Sequence, residues 1–140
     1  MTSDDFAWEV LADASADAQM LYEPLAAARA LLPNTPEPER QRIVERTLRA
    51  LHGAGLIVFV RGGDPPGTAF SDPERHLADD EVDEVLASPG WRTIPVGSDG
   101  TKVWLAATEA GRRTWAEHAP SEVVERRATE DGGDAPDGAA

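Results

Sequence analysis

Arg42, Arg46 and Arg49 follow one another at intervals of four and three residues, so on a helix they share one face, with Glu45 and His52 at its edge. A guanidinium fork suits guanine edges, phosphate oxygens or carboxylates. One reading puts this face in a major groove, with Arg92, Lys102 and a hairpin tip on the flanking backbone. A second has it hold an acidic protein. A third leaves it solvated, its arginines paired with Glu39 and Glu45 along the helix.

The densest acidic run is Asp79, Asp80, Glu81, Asp83 and Glu84. It lacks the alternating oxygen ligands and central glycine of a calcium loop. It reads as the charged outer face of a helix, able to dock on a basic protein or to mimic a phosphate backbone. His52, His76 and His118 are far apart and form neither an HxxxH nor an HExxH arrangement, so no metal or catalytic role is expected of them. None of the serines stands in a nucleophile-elbow context, and Gly62, Gly63 and Gly67 lie in a proline-rich stretch without the lysine of a phosphate-binding loop. The expectation is a protein that is not an enzyme and has no cofactor.

Charge distribution narrows the partner. The 140 residues carry a net charge of −13. Residues 64–90 hold eight acids against one arginine, a net −7, whereas 37–63 carry five arginines against three acids, a net +2. A chain this negative repels a phosphate backbone at long range unless its cations are segregated from its acids. The chain has no cysteine, so disulfides and thiolate metal sites are excluded. No apolar run reaches bilayer length, and MTSDDFAWEV lacks the basic-then-apolar order of a secretory leader. A cytoplasmic protein without a membrane role is expected.

The arginine face needs a helix to carry it, and Thr35–Val60 supplies one that stops on a glycine and turns into a strand. Thr35 is placed to cap its start, followed by Pro36 and Pro38. Gly55 suits the left-handed position beyond its end, where Leu56 would touch Leu51. Ile43, Val44, Thr47, Leu48 and Leu51 fall opposite the arginines. Ahead of it, 4–14 places Phe6, Ala7, Val10, Leu11 and Ala14 on one face. A second helical stretch runs from about Asp17 to Leu32; Pro24 inside it means that the helix either kinks there or begins near 23–24, the preferred start. Leu56–Val60 reads as a strand, 62–75 as a loop, and 77–88 as an acidic helix. Trp91–Val96 and Lys102–Ala107 flank Asp99-Gly100 as a hairpin. Pro95 assigns 91–96 to the edge, and 102–107 to the centre between it and 56–60. Thr108 caps a last helix to His118, a short helix follows within 119–128, and 129–140 reads as a disordered acidic tail. Trp8, Trp91, Trp104 and Trp115 read as core residues. With Trp91 and Trp104 on the hairpin, one of them is a candidate anchor for a protein partner.

This order of elements resembles a winged helix-turn-helix domain. LRALHGAGLI (48–57) is similar to a third helix running into the wing. KVWLAATEAGRR (102–113) is similar to the second wing strand and Thr-x-x-Gly-Arg helix start of MarR- and PadR-like regulators. Residues 20–118 also resemble small actinobacterial winged-helix proteins with an acidic helix inserted before the wing. The resemblance implies an α+β winged-helix domain over 1–118, a three-helix body plus a small antiparallel sheet, with 64–90 as the acidic insertion. The expected function is non-catalytic macromolecule recognition of a regulatory kind, through helix 36–54 and the 91–107 hairpin. A protein partner or a second copy of the chain is favoured. The alternative is a DNA-binding transcriptional regulator, acting as a dimer because one such domain reads a short half-site.

Overall fold

Two capping devices set the ends of the helical body. Thr2 accepts the Asp5 N–H at 3.1 Å while the Asp5 carboxylate accepts the Thr2 N–H at 3.2 Å. These bonds hold the Asp5 carboxyl below its usual range. At the other device, Gly55 takes a φ of 77°. It lets the Leu56 N–H reach the Leu51 carbonyl and its own N–H the His52 carbonyl, each at 3.0 Å, so the helix stops by a Schellman turn.

The computed structural model describes residues 2–62, 69–92 and 102–118. In chain order they form α1 (Ser3–Ala16), β1 (Gln19–Met20), α2 (Glu23–Leu31), α3 (Glu37–Gly53), β2 (Ile57–Arg61), two 3-10 turns (Ala69–Ser71 and Pro73–Arg75), α4 (Asp79–Ala87), a third 3-10 turn (Pro89–Arg92), β3 (Val103–Ala107) and α5 (Glu109–His118). The architecture is α+β, with a three-stranded antiparallel sheet ordered β1-β3-β2. No helix among the described residues is long and apolar enough to cross a membrane.

Alternation along β3 turns Val103, Leu105 and Ala107 inward, and Ile57 and Phe59 of β2 join them. Against this face pack Phe6, Val10 and Leu11 of α1, Leu25 and Ala28 of α2, and Ile43, Val44, Leu48 and Leu51 of α3. Each large side chain fully buried here contributes about 2 kcal/mol. α2 and α3 are clasped by Glu37, which accepts from Arg29 Nη2 at 2.6 Å, from Arg40 Nε at 3.0 Å and from Gln41 at 3.2 Å. The Arg29 guanidinium is the main reason the Glu37 carboxyl is lowered to about 2. The open edge of β2 is covered in part by Leu77, whose N–H donates to the Phe59 carbonyl at 2.9 Å, and by a bridge between Val60 and His76.

Three expectations are corrected. Pro36 rather than Thr35 occupies the cap of α3, without a side-chain bond, and the Thr35 N–H is turned back to Leu32 at 3.2 Å. A two-residue strand, β1, precedes α2 where helix or loop was expected. It takes the edge of β3 expected for 91–96, pairing Gln19 with Leu105 and Met20 with Trp104. The ribbon among the described residues is β2 with β3, the pairing expected of 56–60 and 102–107, and Trp91 and Arg92 lie in a 3-10 turn instead of a hairpin strand. The remainder of the expected hairpin strand and turn (93–101), the loop 63–68, the helix within 119–128 and the tail 129–140 lie outside the described residues.

The corner between α3 and β2 receives α5. Thr108 Oγ1 donates to the Gly55 carbonyl at 2.7 Å and accepts the Gly111 N–H at 2.9 Å. The Thr108 N–H donates to the Leu56 carbonyl at 3.0 Å. Gly111 lies so close to that carbonyl that a Cβ there would overlap it. The Thr-x-x-Gly spacing thus has a packing reason as well as a capping one.

Candidate functional site: the outer face of α3

α3 presents Arg42, Arg46 and Arg49 to solvent, as the buried stripe on its other side requires. Their surroundings differ. Arg42 Nη2 bonds Glu39 Oε1 at 2.7 Å, a pair within one turn of the helix. Arg46 has no acidic partner among the described residues. Arg49 is ion-paired to Asp83 of α4 and lies 3.7 Å from Glu45.

α4 is the source of the difference. Val82 and Leu86 are buried on its inner side, and Trp91 Nε1 donates to the Leu86 carbonyl at 2.9 Å, which fixes the helix end. At its start Glu81 accepts the Ala78 N–H at 2.9 Å. So anchored, α4 lies against the C-terminal half of α3, where a cleft of about 240 Å³ is lined by Arg49, His52, Gly53, Asp79, Val82 and Asp83. His52 Nδ1 stands 3.3 Å from Asp79 Oδ1. Asp79 and Asp83, four apart on α4, therefore meet His52 and Arg49, three apart on α3.

Glu45 extends the strip. It lies between Arg49 and Arg92, with Arg92 Nη2 at 3.6 Å. The Arg92 guanidinium also lies 5.7 Å from the Trp91 ring centroid, within cation–π range. Of the five residues expected to form one basic surface, the structure joins Arg49 and Arg92 through Glu45. It leaves Arg42 and Arg46 exposed on the helix. Lys102 stands apart: its carbonyl accepts the Gly62 N–H at 2.9 Å, and no ion pair among the described residues links its side chain to α3.

The residues that the arginine pattern did not include are Asp79 and Asp83. Their signal was available in outline: two acids one helical turn apart, facing a helix whose cations repeat at the matching interval. What was missing was the fold that brings the two turns together.

The two remaining histidines are engaged structurally. His76 Nε2 lies 2.8 Å from the Phe70 carbonyl, and His118 stacks on Trp8 at 3.5 Å. Among the described residues no group of three or more histidine, cysteine, aspartate or glutamate side chains is placed to hold a metal. Trp91 is buried, whereas Trp8, Trp104 and Trp115 are partly exposed. The candidate anchor on the ribbon is therefore Trp104. A wider open groove of about 660 Å³ lies beside the outer face of the sheet, with Val58, Phe70 and Ala106 along it and Ser15, His76 and Arg112 as its polar margin. Comparison with protein-family models, with curated proteins and with solved structures finds no match for the chain.

Proposed function

We propose that the chain is a non-catalytic recognition module of winged-helix type, in which α3 is the recognition helix and the partner is a protein. The order α1-β1-α2-α3-β2-β3-α5 with a β1-β3-β2 sheet supports the winged-helix reading, with α4 carried on the connection between the ribbon strands. One observation carries the choice of partner. Arg49 and Arg92, which a duplex would need beside Arg42 and Arg46, already face Asp83 and Glu45 within the chain. A surface whose cations alternate with fixed carboxylates complements a mixed-charge protein surface better than a continuous row of phosphates.

The second reading, a DNA-binding regulator, draws on Arg46, which is exposed and has no counter-ion among the described residues. Titration with a mixed-sequence duplex at low salt separates the two. The protein-partner reading expects no binding there, and a partner that co-purifies with the wild-type chain but is lost from Arg46→Glu. Tight duplex binding by the wild type, steeply weakened by salt and by Arg46→Ala, would replace it with the regulator.

A further inference from the structure

α4 is attached to α3 by two kinds of contact, and they do different jobs. Val82 and Leu86 are buried and Trp91 closes the helix end, so the apolar side holds the helix in place. The ionic side lies at the surface. The Asp79 side chain is 91% exposed, Asp83 63% and Arg49 39%. Exposed pairs of this kind add little to stability. Their effect is on the potential that an approaching molecule meets: the carboxylates stand outermost, ahead of the guanidinium and the imidazole they face.

We infer that Asp79, Asp83 and Glu45 are specificity determinants, a built-in strip of counter-charge that keeps polyanions off the recognition face of α3. The inference rests on the reading of α3 as the recognition helix and supplies the reason that helix selects proteins over nucleic acid. The strip acts as the phosphates of a duplex would. It fills the positions that those phosphates would take around Arg49 and Arg92, and it repels others that approach. Specificity of this sort comes from repulsion of the wrong partner as much as from attraction of the right one. The three acids come from two elements, so the strip exists only in the folded chain.

The test is the triple variant Glu45→Gln/Asp79→Asn/Asp83→Asn of the full chain, titrated with a mixed-sequence duplex of about 20 base pairs at low salt. Because Asp79 and Asp83 are exposed and the partly buried Glu45 keeps its shape as glutamine, circular dichroism and thermal unfolding are expected to stay close to the wild type. Duplex affinity is expected to rise at least about tenfold, with a salt slope steeper by about two. Adding Arg49→Ala should remove most of the gain. A control with the same change in net charge, Glu74→Gln/Asp80→Asn/Glu84→Gln, alters exposed acids that have no ion pair among the described residues and should gain much less. The inference is overturned if the folded triple variant binds no better than the wild type, if the control gains as much, or if the gain survives Arg49→Ala. A wild-type chain that already binds the duplex tightly would instead overturn the protein-partner reading. An unimproved triple variant beside a non-binding wild type leaves that reading standing.

Discussion

Asp83 of α4 is paired with Arg49 of α3, and one helical turn away Asp79 meets His52 at 3.3 Å. The most acidic segment of the chain is thereby laid against its most basic helix. The arginine face is neither a free cationic strip nor an ordinary solvated helix side. It is divided: Arg49, towards the C-terminus, is neutralised from outside the helix, Arg42 is paired with Glu39 within it, and Arg46 has no acidic partner among the described residues.

That division predicts unequal effects along one helix. Arg46→Ala is expected to weaken partner binding by about 1–2 kcal/mol, as an exposed arginine at a contact does. Arg49→Ala should weaken it less, since its guanidinium is already engaged. Both should leave the melting temperature within a degree or two of wild type, because neither side chain is buried. Calorimetric titration of the co-purifying partner against each variant checks the order.

α4 should stay in place without its ion pairs and leave without its apolar contacts. Leu86→Ala opens a cavity at a fully buried position and is expected to cost about 3 kcal/mol in urea unfolding. Asp83→Asn, on an exposed pair, is expected to change stability by less than about 1 kcal/mol. Equal losses for the two would show that charge, not burial, holds the helix.

Gly111→Ala is expected to be among the most damaging single-methyl additions in the chain. The new Cβ would overlap the Leu56 carbonyl, and backbone on both sides must yield, at about 3 kcal/mol. Thr108→Val removes the bond to the Gly55 carbonyl and the cap on Gly111 while keeping the shape, and about 2 kcal/mol should go with them. Denaturant midpoints of the two variants test the joint between α3 and α5.

The clasp at Glu37 should make stability depend on acid pH. The Arg29 guanidinium lowers the folded-state carboxyl from 4.5 to about 2, so the folded chain holds this proton less readily than the unfolded one. The stabilisation is therefore present above pH 4.5 and is lost as pH falls from there towards 2. Glu37→Gln is expected to be less stable than wild type at pH 6, with the difference shrinking through that window. Thermal unfolding of both proteins across it is the measurement, and a constant difference would remove the clasp from the account.

Much of the scaffold is written locally. The buried stripe of α3, the stop at Gly55, the cap at Thr108 and the start of α2 beside Pro24 each depend on residues within a turn or two of one another, so spacing and side-chain chemistry suffice to place them. Thr35 failed as a cap for an equally local reason: the extended Pro36 occupies that position instead.

The rest is decided at long range. Gln19–Met20 is too short for any periodicity to show, and it becomes a strand only because β3 offers an unpaired edge there. β1 thereby takes the edge given to 91–96, while β2 pairs with β3 on the other side as its position in the chain suggests. In the same way, the charges of Arg49, Asp79 and Asp83 were plain in the chain, but their meeting was not. The apolar side of α4 must first be buried under α3 and Trp91, and only then do carboxylates distant in sequence come to stand beside the arginine face. Sequence determined which residues are charged and which helices carry them. Tertiary packing, through the burial of Val82 and Leu86, decided which of those charges are left to meet a partner.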